Sequence, residues 1–215
     1  MKVDLIVVDM DGTAVQYPNQ PFSSTWDALQ GILSEEERLE WVRLRDLYAG
    51  NSGLYEKWFN AQVALLKGKR VGDAERFLFP IPYSPGFLDF FQNNNGFKKA
   101  ILSSGIDLVV KKIAEEANFG DYVCQSLETA SGFFTGRGRC WSSLDKVEHL
   151  KTLSGRLEIH LNRICYIGDH PSDISCFESV QFPVAFNPKN GLEKYVQEKK
   201  IPVISDFKEL EGILK

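Results

Sequence analysis

Four cysteines and three histidines are few for 215 residues, and neither set is clustered. Cys124, Cys140, Cys165 and Cys176 contain no CxxC pair, and His149, His160 and His170 stand far apart, so the spacing of a zinc site is missing. Cys165 lies in an apolar run, where a reduced thiol acts as a small hydrophobe; the sequence leaves a disulfide open. No apolar stretch approaches the ~20 residues that span a bilayer. An excess of positive charge is also lacking: the net charge of -4 and a pI near 5.5 argue against a nucleic-acid surface. Internal repeats and low-complexity segments are absent. The amino terminus carries one lysine before an apolar run that Asp4 interrupts, so neither a signal nor a transit peptide is expected, and the cytoplasm is the expected location.

What is present is an ordinary composition, 43% hydrophobic and 25% charged, in a chain long enough for one sizeable domain with an insertion or two small ones. Residues 2–9 carry Val3, Leu5, Ile6, Val7 and Val8, the composition of a strand covered on both faces of a parallel sheet. From about residue 14 to 83 strand signals vanish. Residues 22–33, 34–48, 54–67 and 72–78 read as helices, with Ser34 and Glu37 as a capping box. Residues 79–86, holding Pro80, Pro82 and Pro85, read as a return linker. Strands at 98–103, 122–125, 163–168, 182–186 and 202–204 then alternate with helices, among them 106–117 and 142–153. A hairpin turn is expected at Thr135-Gly136-Arg137-Gly138, whose Arg137 and Arg139 read as solvated rather than as an RNA patch. This alternation means a mostly parallel sheet between helices, an α/β fold.

Four strand or helix ends carry polar signals. Asp9-Met10-Asp11-Gly12-Thr13 follows the first strand and puts two carboxylates where open α/β sheets place ligands. By itself it is also a capped acidic turn. Ser103-Ser104-Gly105 joins a strand to a helix and offers a hydroxyl and backbone N–H groups to an anion, or a plain N-cap. Lys146 sits in the first turn of a helix, a poor electrostatic place for a lysine unless an anion faces it. Gly168-Asp169-His170-Pro171-Ser172-Asp173 ends another strand with two carboxylates suited to magnesium beside a phosphate.

In this order the four pieces resemble the motifs of the haloacid dehalogenase superfamily: DMDGT, a strand-end serine, a lysine, and GDxxxD. The resemblance covers nearly the whole chain and is best to the phosphoserine phosphatase branch, through AILSSGID, GDHPSDISCF and VAFNPK. It implies a Rossmann-like core at 1–13 and 84–215, with a helical cap inserted at 14–83. It further implies Mg2+-dependent phosphomonoester hydrolysis with Asp9 as nucleophile and Asp11 as acid/base. Ser103, the Ser104 backbone, Gly12 and Lys146 would hold phosphate. Asp9, the Asp11 carbonyl and Asp169 would bind metal, Asp173 would serve as ligand or lysine partner, and Thr13 would order the turn.

Two departures bear on the substrate. Where the branch has a glutamate that reads the amino group, Val15-Gln16-Tyr17-Pro18 has no acid, and its cap arginine aligns with Gln62. Ser172 stands in place of an asparagine. The expected substrate is therefore a small phosphomonoester other than phosphoserine, with a neutral or partly apolar leaving group. Tyr17, Gln62 and Ser172 are substrate candidates, as are Trp26, Trp41, Tyr48, Tyr55 and Trp58, although aromatics at helical spacing also make core. Arg43 and Arg45 would read a second anion or lie solvated. The competing readings are a phosphotransferase acting on an acceptor alcohol and a non-catalytic phosphate-sensing or scaffold protein on the same fold. A dehalogenase would lack Asp11, and a phosphonate hydrolase would need a buried cap lysine among Lys57, Lys67 and Lys69.

Overall fold

The computed structural model describes residues 2–17, 22–48, 52–142 and 146–214. Strand β1 (Leu5–Val8) lies in the middle of a sheet whose other members are β2 (Lys98–Ile106), β3 (Asp121–Ala130), β4 (Phe133–Arg139), β5 (Ile164–Gly168), β6 (Phe182–Phe186) and β7 (Val203–Ile204). The order is β4-β3-β2-β1-β5-β6-β7. Every neighbouring pair is parallel except the β3–β4 hairpin.

All four residues of β1 are fully buried because both faces of the sheet are covered. Ile6 and Val8 pack with Phe87, Phe91, Phe119 and Phe207 on one side, while Leu5 and Val7 pack with Leu150, Tyr166 and Phe177 on the other. That two-sided burial is why β1 reads as a continuous apolar run rather than an alternating one. The strand ends where Asp9 begins, and the following turn closes through Thr13 N–H to Met10 O and Val15 N–H to Met10 O.

Between β1 and β2 the described residues form no strand, only isolated bridges and the helices α1 (Thr25–Ala28), α2 (Glu35–Tyr48), α3 (Tyr55–Leu65), α4 (Val71–Leu78) and α5 (Phe87–Asn93) with short 3₁₀ turns. The capping box of α2 is present, with Ser34 N–H donating to Glu37 and Glu37 N–H to Ser34 Oγ at 2.8 and 3.2 Å. An aromatic cluster joins α1 to α3, in which the Trp26 ring lies 5.6, 5.5 and 5.4 Å from Trp41, Trp58 and Phe59, and it is continuous with the core on one face of the sheet. The insertion docks on β4, where Gly68 N–H donates to Phe134 O and Phe134 N–H returns to Lys69 O.

The rest of the chain is α6 (Asp107–Ala117), α7 (Lys146–Leu157), α8 (Ile174–Ser179), α9 (Leu192–Lys199) and α10 (Leu210–Ile213). Several sequence expectations need correction. The helix at 22–33 is only α1 plus a 3₁₀ turn at Leu29–Ile32, because the Ser24 hydroxyl caps Asp27 N–H and starts the helix late. The hairpin turn is at Ser131-Gly132, both with positive φ, and not at 135–138, which lies inside β4. Its glycines serve a different end: Gly136 and Gly138 let the Lys67 stem and the Phe59 ring of the insertion approach the strand. Strand β2 does not stop at Ser103 but runs to Ile106 through a break in its pairing with β3. The helix expected from residue 142 is described from Lys146; residues 143–145, like Pro18, lie outside the described residues.

No helix among the described residues is long and apolar enough to cross a membrane. The four cysteines are free thiols, Cys165 and Cys176 buried and Cys124 and Cys140 half-buried.

Candidate active site

The carboxyl ends of β1, β2 and β5 meet the start of α7, and there the sequence candidates converge. Asp9 leaves β1 with its N–H on Ile167 O, and its carboxylate meets Lys146 Nζ at 2.9 Å. Lys146, the first residue of α7, is buried and also bonds Asp173 at 2.5 Å. Burial alone would discharge this ammonium, but the facing Asp173 and Asp9 carboxylates override it and hold its pKa above the usual lysine value. Asp173 is enclosed on all sides. Tyr166 OH donates to it at 2.7 Å, and the backbone N–H groups of Asp169 and His170 each donate at 3.1 Å.

Asp169 is fixed from two directions, by the Thr13 hydroxyl on Oδ1 and by Lys189 Nζ on Oδ2, each at 2.9 Å. Thr13 therefore ties the first turn to the β5 turn in addition to ordering its own. Gly12 makes the crossing possible. With φ +92° it adopts a conformation open to glycine, and a Cβ there would lie 2.2 Å from Asp169 Oδ2. Gly12→Ala is expected to cost about 1–3 kcal/mol of stability; a thermal melt coinciding with wild type would show that the turn relaxes freely.

Asp11 points the other way, toward the insertion. Thr25, the first residue of α1, donates its N–H and its hydroxyl to the two Asp11 oxygens, both at 2.8 Å. Burial pushes the Asp11 pKa up to about 6, against the pull of the Thr25 donors. Burial likewise raises Asp9 to about 7, with Lys146 pulling down and Asp173 and Asp169 pushing up. Ser103 is buried and its Oγ accepts Gly105 N–H at 3.0 Å. Gly105 lies against the acid, since a Cβ on it would stand 3.0 Å from Asp11 Oδ2. The irregularity in β2 covers Ser103, half-buried Ser104 and Gly105, the segment that meets Asp11 through Gly105.

The substrate candidates separate. Gln62 belongs to the core of the insertion, where it accepts from Trp26 Nε1 at 2.5 Å and donates to Trp41 O at 2.8 Å. Ser172 bonds the His170 ring at 3.1 Å in the turn before α8. Tyr17 is half-buried with its hydroxyl enclosed and unpartnered, and burial and the charge of Asp11 both raise its pKa. The Trp58 indole N–H is likewise enclosed and unpartnered. Trp41 is buried, and Tyr48 lies under Lys57 Nζ. Tyr55 OH accepts from Gln125 of β3 at 2.7 Å, tying the insertion to the sheet. Arg43 and Arg45 are exposed and paired with Glu40 and Asp46, and Lys69 pairs with Glu37.

Oxygens of Asp9, Asp169 and Asp173 lie within 4.8 Å of one another and can hold a divalent metal ion. A buried donor set made only of carboxylates fits a hard cation of the magnesium type. A family profile, haloacid dehalogenase-like hydrolase, matches residues 6–178. The chain belongs to that family. Within it the chain is phosphoserine phosphatase-like. It is 30% identical over 136 residues to the phosphoserine phosphatase of Idiomarina loihiensis, covering 61% of this chain and 62% of that one. The match thus spans less than two thirds of that relative. To the phosphoserine phosphatase of Methanocaldococcus jannaschii it is 25% identical over 218 residues, covering 100% and 97%. A solved phospho-aspartyl intermediate analogue of phosphoserine phosphatase shares the fold with a TM-score of 0.73, 23% identity and complete coverage of both chains.

Thr25, Tyr166 and Lys189 were not among the sequence candidates. Tyr166 left a trace, a hydroxyl in an otherwise apolar strand, and Lys189 ends the VAFNPK segment. Thr25 left none, because only folding brings it to Asp11.

Proposed function

We propose that this protein is a magnesium-dependent phosphomonoester hydrolase that works through an aspartyl-phosphate on Asp9, with 1–13 and 84–215 as its core and 14–83 as its cap. The observation that carries this reading is the Asp9 carboxylate, buried at a strand end and held by Lys146 at 2.9 Å beside two further aspartates. An Asp9 oxygen attacks phosphorus and the ester oxygen leaves, taking a proton from Asp11. Asp11, with a pKa raised to about 6, then accepts a proton from the water that attacks the same phosphorus, releasing phosphate and restoring Asp9. Lys146 and Ser103 bind phosphate oxygens; Ser103 keeps its hydroxyl proton free to donate because its oxygen accepts from Gly105. Asp9, the Asp11 carbonyl and Asp169 would hold Mg2+, which when bound neutralises phosphate charge. Asp173 acts as the partner of Lys146, a role its four donors support.

For the leaving group we propose a neutral or partly apolar alcohol. In support, Arg43, Arg45 and Lys69 are each already paired within the cap, whereas Tyr17 and Trp58 keep enclosed donors without partners. These three cations, each already held by a carboxylate, offer a zwitterion no free charge to pair with. We place the activity in the cytoplasm.

The test is phosphate release from phosphoserine, sugar phosphates, nucleotides and aryl phosphates, with and without Mg2+. Magnesium-dependent release is expected, with kcat/KM for phosphoserine no higher than for the neutral esters. A preference for phosphoserine of about 100-fold or more would overturn the leaving-group assignment. Phosphorylated alcohol in place of free phosphate, when acceptors are added, would make the enzyme a transferase.

A further inference from the structure

Two lysines enter the aspartate cluster, and they are held in opposite ways. Lys146 is 3% exposed and locked between Asp9, Asp173 and Tyr166. Lys189 is 49% exposed and reaches in from solvent after β6, with only its tip engaged, on an Asp169 carboxylate that is 1% exposed. Its backbone is anchored independently of that contact, since Lys189 N–H donates to Asp169 O at 3.1 Å and Lys189 O accepts from Leu192 N–H at 3.1 Å. The side chain can therefore withdraw without moving the turn. The passage it uses is the one that Gly12 leaves open, because a Cβ at residue 12 would lie 2.7 Å from Lys189 Nζ.

Asp9, Asp169 and Asp173 bring three carboxylates to this cluster, and Lys146 balances one. A second positive charge lowers the repulsion among those remaining, which burial leaves weakly screened. Lys189 supplies it on the same carboxylate that a divalent ion would use. An ammonium and a dication that share one carboxylate repel each other, so each weakens the other's hold.

We propose, on the basis of the metal-dependent reading above, that Lys189 is a retractable internal counter-ion of the metal site: its ammonium occupies Asp169 in the metal-free protein and is displaced when the divalent cation binds. Lys189 thereby keeps the acidic cluster assembled without metal, at the expense of metal affinity. It acts on the reaction only through Asp169, as a positioning residue.

The experiment is titration of wild type, Lys189→Met, Lys189→Arg and Asp169→Asn with Mg2+ alone by calorimetry, and with Mn2+ alone by electron paramagnetic resonance, alongside thermal melts in chelator. The Lys189→Met protein should bind either ion about tenfold more tightly than wild type and melt at a lower temperature without metal. Lys189→Arg, which keeps the charge, should return both properties toward wild type. Equal or weaker binding by Lys189→Met, with wild type still binding, would overturn the counter-ion role and leave the metal-dependent reading standing. Absence of binding by wild type and Lys189→Met alike would overturn both. Binding by Lys189→Met where wild type binds nothing would be the competition in its extreme form. Asp169→Asn should lose affinity in every case, which ties the measured ion to this site.

Discussion

Asp9→Asn should abolish phosphate release, with a fall in turnover on the order of 10⁴-fold or more, because an amide nitrogen or oxygen cannot take the carboxylate's place as nucleophile. The substitution is nearly isosteric, so the far-UV circular dichroism should not change. Stability separates this from simple damage. Asp9 has its pKa raised to about 7, with burial the dominant cause. A carboxyl whose folded pKa lies above its unfolded value costs stability as pH rises from the unfolded value toward the folded one. A neutral asparagine escapes that cost, so the variant should melt at or above the wild-type temperature at pH 7, and the difference should shrink toward pH 4. Appreciable turnover would remove Asp9 as nucleophile, and a large drop in melting temperature would mean that its charge stabilises the fold.

Lys146→Met should have the opposite signature, losing activity and stability together. This lysine is the buried cation between Asp9 and Asp173. Removing one partner of a buried charge set costs about 3–5 kcal/mol, on the order of 10 °C in melting temperature for a chain of this size. Activity should fall by about 10³-fold through loss of a donor to the phosphate oxygens. The double variant Lys146→Met, Asp173→Asn should regain part of the stability and none of the activity, because it removes a stranded carboxylate without restoring the donor. A Lys146→Met protein that melts like wild type would show that the cluster does not depend on this charge.

Some of this architecture was legible without coordinates. The four buried residues of β1 appear in the sequence as an unbroken apolar run, because a strand covered on both faces has no polar positions to alternate with. Ser34 and Glu37 announce the start of α2, since a cap is a contact over three residues. Other local signals pointed the wrong way. The glycines of 135–138 look like a turn, but they are small because the insertion packs on β4, a contact between segments far apart in the chain. Gln62 falls where a substrate-reading residue would align, yet its amide bonds Trp26 and Trp41.

The sequence by itself determined the alternating α/β order, the helical insertion after the first motif and the identity of the groups at the strand ends, all of which depend on short-range pattern. Only the tertiary structure decided how those groups are paired. Thr25 clamps Asp11, Thr13 and Lys189 divide Asp169 between them, and Tyr166 joins Lys146 on Asp173. Pairings such as Thr13 with Asp169 join residues more than a hundred positions apart. No periodicity records them, because the side-chain direction that makes each one is set by the packing of the sheet and not by its neighbours in the chain.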